Sequence, residues 1–155
     1  MNNSRLSPWK SALLALGLLF VYFFGLGAHG LLEPDEGRYS EIPREMMETG
    51  DFVTPRLNYV KYFEKPVLHY WLTAASMKVF GESEFAGRFW PATLALSGTA
   101  AVWVAARRLH GARGALYSSA VLGAGLLYFA VGRINIIDMT LSFFMTLSFI
   151  GLWFA

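Results

Sequence analysis

The carboxylates of this chain lie mostly in one stretch of an otherwise apolar sequence. Ten of its eleven acidic residues fall within positions 33–84, and the eleventh is Asp138. Asp35 and Glu36 follow directly after an apolar run, where a carboxylate is partly removed from water and can accept a proton or orient a hydroxyl. The same two acids could instead stabilise the N-terminus of a helix that begins just after them. Position alone leaves both roles open.

A second charged group, Glu64-Lys65-Pro66, follows in the same stretch. A lysine at the depth of lipid headgroups supplies a compact positive charge on a flexible stem, which suits an anionic lipid phosphate. The alternative is an ordinary interfacial lysine, whose apolar stem lies along the membrane while its ammonium reaches water. These two residues alone do not separate the alternatives.

Composition indicates an integral membrane protein. The mean hydropathy is +0.41 and charged residues make up 15% of the chain, against about a quarter in soluble proteins. The sequence has no cysteine, which excludes disulfides and thiolate metal sites within it. A net charge of +2 without a long basic stretch argues against a nucleic-acid partner.

The apolar segments predict four membrane spans separated by one long outer loop. A signal peptide is the competing interpretation of the first span, but its apolar run is long and is not followed by a small-residue cleavage site. The loop is predicted to contain a short amphipathic helix over 37–49 and an interfacial helix over 67–80. The spans are predicted at about 11–30, 85–106, 115–132 and 138–155, and the outer loop at about 31–84.

Basic residues predict how these spans are oriented. They occur at the N-terminus and between the second and third spans: Arg5, Lys10, Arg107, Arg108 and Arg113. The positive-inside rule places both regions in the cytoplasm, so the outer loop faces the opposite side. The third span then returns the chain to that side just before Asp138. We therefore expect Asp35 and Asp138 on the same membrane face, where an acid at the end of a span favours a functional role.

The motifs EPDEGRY, GDFVTPRL and YFEKP, in this order and spacing, resemble the N-terminal region of bacterial aminoarabinose lipid A transferases and their relatives, the protein O-mannosyltransferases. The resemblance is dense over about 31–91 and looser up to Asp138. It implies an all-α integral membrane protein, a GT-C type multi-helix bundle with amphipathic interfacial helices in the first periplasmic loop. It also implies a multi-pass protein of the bacterial inner membrane whose N-terminus is cytoplasmic. Residues 1–155 would then be the N-terminal part of the transmembrane domain, inactive without the remaining helices and the periplasmic domain.

The resemblance also implies roles for individual residues. Asp35 is expected to be catalytic and Asp138 to support the same site. Lys65 is expected to contact the phosphate of the lipid carrier, and Glu64 to orient Lys65 or to hold a divalent cation; no other cofactor is required. The remaining substrate-binding residues are expected to be Glu36, Arg38, Tyr39 and Tyr62.

The function implied is transfer of a sugar, either 4-amino-4-deoxy-L-arabinose or a hexose, from a polyprenyl phosphate carrier. The acceptor would be lipid A, a glycan or a protein, and the configuration at the sugar would invert. A transporter or flippase of lipid-linked sugars is the first alternative, although transporters place their charged sites near the bilayer midplane. A non-catalytic membrane assembly subunit is the second. In each case membrane lipids surround the protein.

Overall fold

The computed structural model describes residues 8–155, so the predicted cytoplasmic Arg5 lies outside the described residues. The described chain is mainly helical, with one small β-hairpin. The elements are α1 (Pro8–Phe23), α2 (Asp35–Thr49), β1 (Arg56–Leu57), β2 (Val60–Lys61), α3 (Leu68–Phe80), α4 (Glu84–Gly123), α5 (Leu126–Val131) and α6 (Ile137–Phe154).

Two of the described helices are long and apolar enough to cross a membrane, α4 and α6. Helix α1 is apolar but has only 16 residues, shorter than the segment predicted over 11–30. It ends at Phe23 because the chain turns there, with Gly25 at a φ of 65°. The helices meet in a core that contains Tyr22, Ala95 and Met139.

Helix α4 reverses direction at Gly111, inside the turn predicted over 109–114. Gly111 has φ 73° and ψ −170°, a conformation that L side chains rarely adopt. Beyond this turn the chain runs back along the first arm of α4, and the Tyr128 hydroxyl donates to the Ala95 carbonyl at 2.9 Å. The two arms of α4 and the following α5 occupy the region of the spans predicted over 85–106 and 115–132.

Close approach between these helices depends on a small residue, as is common where membrane helices pack. A Cβ added at Gly132 would lie 2.7 Å from Cε1 of Tyr22 and 2.8 Å from Cβ of Ala95. Gly132 therefore lets the chain after α5 pass directly over α1 and α4.

The outer loop folds into a compact layer made by α2, α3 and the hairpin. Helix α2 buries Tyr39, Ile42 and Met46 against Tyr70 of α3. These residues recur three or four positions apart along α2, the spacing that places side chains on one helix face. The helix ends at Gly50, which has φ 71° and donates its N–H to the Met46 carbonyl.

The sequence pattern does not predict the hairpin, and it predicts the wrong surroundings for one acid that contacts the hairpin. Asn58 and Tyr59 both have positive φ, 52° and 61°, as a two-residue turn of this type requires. The backbone N–H of Tyr59 donates to Glu45 at 2.9 Å. The amphipathic pattern over 37–49 predicts Glu45 on the solvated face with Glu41 and Glu48; this prediction is wrong, because Glu45 is 1% exposed and anchors the hairpin.

Candidate active site

Asp35 and Asp138 both lie within electrostatic reach of one tyrosine of α2. Asp35 is in the first turn of α2, Tyr39 lies one turn further, and Asp138 is in the first turn of α6. Burial raises the pKa of the Tyr39 hydroxyl, and the charges of Tyr62, Asp35 and Asp138 raise it further. Two carboxylates far apart in the sequence therefore act on the same hydroxyl group.

Charged and hydroxyl groups continue outward from this point. Arg38 pairs with Asp35 at 3.7 Å, and its guanidinium lies 6.0 Å from the centre of the Tyr62 ring. The Tyr62 hydroxyl donates to Glu64 Oε2 at 2.9 Å. Burial raises the pKa of Tyr62, as does its hydrogen bond with Glu64.

Six of the predicted site residues thus lie at the surface of one end of the molecule, and we call them the exposed cluster. The Asp35 side chain is 58% exposed. Lys65 is exposed and forms no ion pair within 4 Å among residues 8–155. The members of the exposed cluster are Asp35, Arg38, Tyr62, Glu64, Lys65 and Asp138.

The exposed cluster contains both signs of charge with little internal pairing. Arg38 and Lys65 are able to bind an anion such as a phosphate. Asp35 and Asp138 remain available to orient a hydroxyl or accept its proton. A cavity of about 620 Å³ is lined by Arg38 together with Glu41 and Arg44, and by no other member of the exposed cluster.

Glu36, predicted to bind substrate, lies in different surroundings. Its side chain is 1% exposed and forms two parallel hydrogen bonds with Arg88 of α4, at 2.8 and 2.7 Å. The backbone N–H groups of Leu32 and Asn135 donate to the same carboxylate at 2.8 and 2.7 Å. Burial opposes ionisation of Glu36, but the bonds from Arg88, Asn135 and Leu32 outweigh it and lower the pKa of the carboxyl.

Arg88 is fully buried and holds the chain that precedes α2. Besides Glu36, its guanidinium donates to three backbone carbonyls, those of Leu26, His29 and Gly30, at 2.8–3.0 Å. All five N–H groups of an arginine are satisfied by such a set. Arg88 therefore ties α4, the end of the first apolar segment and the start of α2 into one unit.

Asn135 and His69 extend these contacts to α3 and α6. The Asn135 side-chain N–H donates to Ser40 at 2.9 Å, and its amide oxygen lies 3.0 Å from His69 Nε2. Because an amide oxygen only accepts, Nε2 of His69 carries the proton, and Nδ1 accepts from the Thr140 hydroxyl at 3.0 Å. Burial lowers the pKa of His69 to about 4, so the ring is neutral. We call Glu36, Ser40, His69, Arg88, Asn135 and Thr140 the buried network.

The described residues do not form a cation site by themselves. No group of three or more histidine, cysteine, aspartate or glutamate side chains in residues 8–155 lies close enough to share a metal ion. Glu64, the predicted ligand, is held by the Tyr62 hydroxyl instead. A divalent cation at Glu64 stays a prediction, and no step of the chemistry below is assigned to one.

Comparison with known proteins identifies the family. Residues 64–155 match the family described as dolichyl-phosphate-mannose-protein mannosyltransferase. The chain belongs to this family. The resemblance noted in the sequence motifs is thereby confirmed.

Individual relatives in this family match almost the whole chain. An undecaprenyl phosphate-alpha-4-amino-4-deoxy-L-arabinose arabinosyl transferase 2 of Proteus mirabilis is 33% identical over 156 residues, covering 100% of this chain and 28% of the relative. The corresponding transferase of Yersinia enterocolitica is 36% identical over 141 residues, covering 90% of this chain and 26% of the relative. The chain thus spans about a quarter of the length of these two relatives.

Solved structures show the same fold. ArnT from Cupriavidus metallidurans in the apo state superposes with a TM-score of 0.84 at 40% identity, covering 88% of this chain and 25% of ArnT. ArnT bound to undecaprenyl phosphate superposes with a TM-score of 0.85 at 39% identity, covering 91% of this chain and 26% of ArnT. The predicted all-α membrane fold of GT-C type is confirmed for this member of the mannosyltransferase family.

Sequence reasoning did not find the buried network. The sequence places Arg88 only near the start of the span predicted over 85–106, and His69 only within the interfacial helix predicted over 67–80. One signal was available, because an arginine inside an apolar helix is costly unless it is paired. Nothing in the sequence named Glu36 or Asn135 as its neighbours.

Proposed function

We propose that the protein is a membrane glycosyltransferase that moves a sugar from a polyprenyl phosphate carrier to an acceptor such as lipid A, with inversion. The observation that carries the proposal is the exposed cluster, in which Asp35 and Asp138 both act on Tyr39 and Arg38 contacts both Asp35 and Tyr62. The match to ArnT bound to undecaprenyl phosphate supports this choice of carrier. The arabinosyl transferases among the relatives favour 4-amino-4-deoxy-L-arabinose as the sugar.

The chemistry follows from the charges of the cluster. The leaving group of such a donor is a phosphate, which departs as an anion and needs no general acid. Arg38 and Lys65 would stabilise the negative charge that grows on this phosphate in the transition state. Attack from the opposite face of the sugar, in a single displacement, inverts the configuration at the reacting carbon.

The role of Asp35 depends on the acceptor. With a hydroxyl acceptor, Asp35 acts as the general base, which contributes about 10² to 10⁴ in rate. With a phosphate of lipid A, the nucleophile is already ionised and Asp35 orients the sugar. Asp138 shares the electrostatic environment of Tyr39 with Asp35 and supports the same position. Glu36 does not contact the donor. Its bonds to Arg88 and Asn135 hold the first turn of α2 in place and thereby position Asp35.

A transfer assay with the full-length protein tests the proposal and its two rivals. Proteoliposomes receive radiolabelled undecaprenyl-phosphate sugar together with lipid A, and both products and lipid distribution are measured. Labelled lipid A supports the transferase. Movement of the labelled donor between leaflets without transfer indicates a flippase, and neither result indicates a non-catalytic subunit; both outcomes contradict the proposal.

The exposed cluster is proposed to face the periplasm. Lys10, Arg107 and Arg108 lie toward the opposite end of the helices from Asp35, and basic residues favour the cytoplasmic side. Single cysteines introduced at the exposed positions Phe63 and Leu109 test this orientation. A membrane-impermeant maleimide added to spheroplasts is expected to label position 63 and not position 109, and the reverse pattern contradicts the orientation.

A further inference from the structure

The hydroxyl of Tyr70 is buried and has no hydrogen-bond partner among the described residues. Tyr70 is in the first turn of α3 and is 0% exposed. The interfacial helix predicted over 67–80 would place Tyr70 and Trp71 at the depth of the lipid headgroups, which the burial of Tyr70 contradicts. A buried polar group without a partner costs about 1–3 kcal/mol, so its presence calls for an explanation.

The surroundings of this hydroxyl supply one. The Tyr70 ring stacks on Tyr39, with 6.1 Å between ring centres. The charges of Tyr39, Tyr62, Arg38 and Glu64 all act on the Tyr70 hydroxyl. Tyr70 therefore belongs to the apolar group of Tyr39, Ile42 and Met46, and its hydroxyl lies within electrostatic reach of the exposed cluster.

Tyr62 lies between Tyr70 and the outside. It is partly buried and packs against the apolar group that contains Tyr70, while its own hydroxyl is held by the exposed Glu64. The segment after Tyr62, positions 63–66, is exposed throughout. A shift of Tyr62 and Glu64 away from α3 would open the Tyr70 hydroxyl toward Arg38 and a bound anion.

We propose that Tyr70 is a further binding residue of the proposed site, whose hydroxyl donates a hydrogen bond to an oxygen of the carrier phosphate. Burial keeps the phenol protonated and therefore a donor. Arg38, which acts on the same hydroxyl, supplies the positive charge that brings the anion there. The inference rests on the proposed use of a polyprenyl phosphate carrier.

The test replaces Tyr70 by phenylalanine in the full-length protein and titrates undecaprenyl phosphate, without a sugar, in lipid nanodiscs. The apparent Kd is expected to rise about tenfold or more, as for loss of a hydrogen bond to a charged group. The melting temperature without ligand is expected to stay the same or to rise, because the hydroxyl has no partner to lose.

Tyr22→Phe is the matched control. The Tyr22 hydroxyl is buried too, but it donates to the Gly123 carbonyl at 3.1 Å, and Tyr22 belongs to the other apolar cluster, with Ala95 and Met139. This variant is expected to melt at a lower temperature and to bind undecaprenyl phosphate like the wild type. The two tyrosines thus have opposite expected effects on stability and on binding.

Each other result contradicts the inference in a recognisable way. An unchanged Kd for Tyr70→Phe shows that the hydroxyl does not reach the phosphate. A lower melting temperature for Tyr70→Phe shows that the hydroxyl has a partner inside the protein. If Tyr70→Phe weakens binding of a sugar-bearing donor but not of undecaprenyl phosphate, the hydroxyl contacts the sugar and not the phosphate. Failure of the wild type to bind undecaprenyl phosphate overturns the proposed function itself, and the role of Tyr70 with it.

Discussion

Asp35 and Glu36 are consecutive residues of α2, but their carboxylates have opposite surroundings. Asp35 is 58% exposed, and its one ion pair, with Arg38, spans 3.7 Å. Glu36 is buried and accepts four hydrogen bonds, two of them from Arg88. Their neighbours divide in the same way, into the exposed cluster and the buried network.

The difference shows that the outer loop keeps the side chains proposed to react apart from the side chains that hold the fold. A reactive carboxylate needs free lone pairs and room for a ligand, whereas a buried one is tolerated only when each oxygen is satisfied. Because the side chains of adjacent helix residues point about 100° apart, one turn of α2 presents one acid to each environment. Substitutions in the exposed cluster should therefore affect transfer, and substitutions in the buried network should affect folding.

The largest effect is expected for Asp35→Asn. This change keeps the shape of the side chain and removes its charge, so transfer should fall by at least about 10² to 10⁴ if Asp35 is the general base. The melting temperature should stay within experimental error, because the side chain is exposed. Labelled lipid A formation and thermal unfolding of the purified protein measure the two effects.

Asp51→Asn is the control for Asp35→Asn. Asp51 is in the same outer loop, where it accepts backbone N–H groups of Val53 and Thr54, which asparagine retains, and pairs with Arg56 at 3.4 Å, which asparagine weakens. Transfer by this variant should match the wild type. Near-normal transfer by Asp35→Asn itself would remove Asp35 from the catalytic centre.

The next largest effect is expected for Arg88→Met, this time on stability. Removing one partner of a buried ion pair leaves a charge without compensation and costs about 3–5 kcal/mol of unfolding free energy. The double variant Glu36→Gln, Arg88→Met should recover part of this loss, since no buried charge remains. Denaturant unfolding in detergent measures both. A single variant as stable as the wild type would show that the pair is not needed to hold the loop.

A smaller effect is expected from pH, through His69. Its pKa is about 4 in the folded protein and about 6.5 when unfolded. The unfolded chain therefore binds more protons between these values, and stability is lost as the pH falls. From pH 7 to pH 5 this residue alone should remove about 2 kcal/mol. Glu36, whose pKa is lowered, keeps its contribution in this range and loses it only in stronger acid.

His69→Gln isolates this contribution. Melting temperatures of both proteins are measured across pH 5–7, and the variant should show a clearly shallower dependence than the wild type. Parallel curves would mean that His69 does not gain a proton on unfolding, which contradicts a buried neutral imidazole.

The smallest effect is the one expected for Lys65→Ala on binding of the carrier. Loss of one exposed cation should weaken the binding of undecaprenyl phosphate several-fold, on the order of 1 kcal/mol. The melting temperature should not change. Lys61→Ala, an exposed lysine of β2 in the same loop, is the control and should bind normally. Equal affinities for both variants would remove Lys65 from the carrier site.

Local patterns in the sequence predicted much of the fold. The amphipathic spacing and Gly50 located the helix expected over 37–49 at Asp35–Thr49, and the reversal at Gly111 lies in the turn expected over 109–114. The hairpin could not be foreseen, because its turn uses Asn58 and Tyr59 at positive φ without a glycine.

The candidate site was predictable only where motifs carried it. Asp35, Arg38, Tyr62 and Glu64 lie in short motifs, and the structure brings them together. The position of Glu36 depends on Arg88 and Asn135, which are distant in the chain, and no local pattern distinguishes it from Asp35.

The bond from the Asn135 backbone to Glu36 also sets an order of assembly. Its two residues are separated by 99 positions, and Arg88, the other partner of Glu36, follows it by 52. A ribosome adding about 5 to 20 residues per second delivers Arg88 several seconds after Glu36, and Asn135 several seconds later again. The outer loop must therefore stay incompletely folded until residues 88–135 have been added and placed, and this interval is the natural one for a chaperone or protease to act on it.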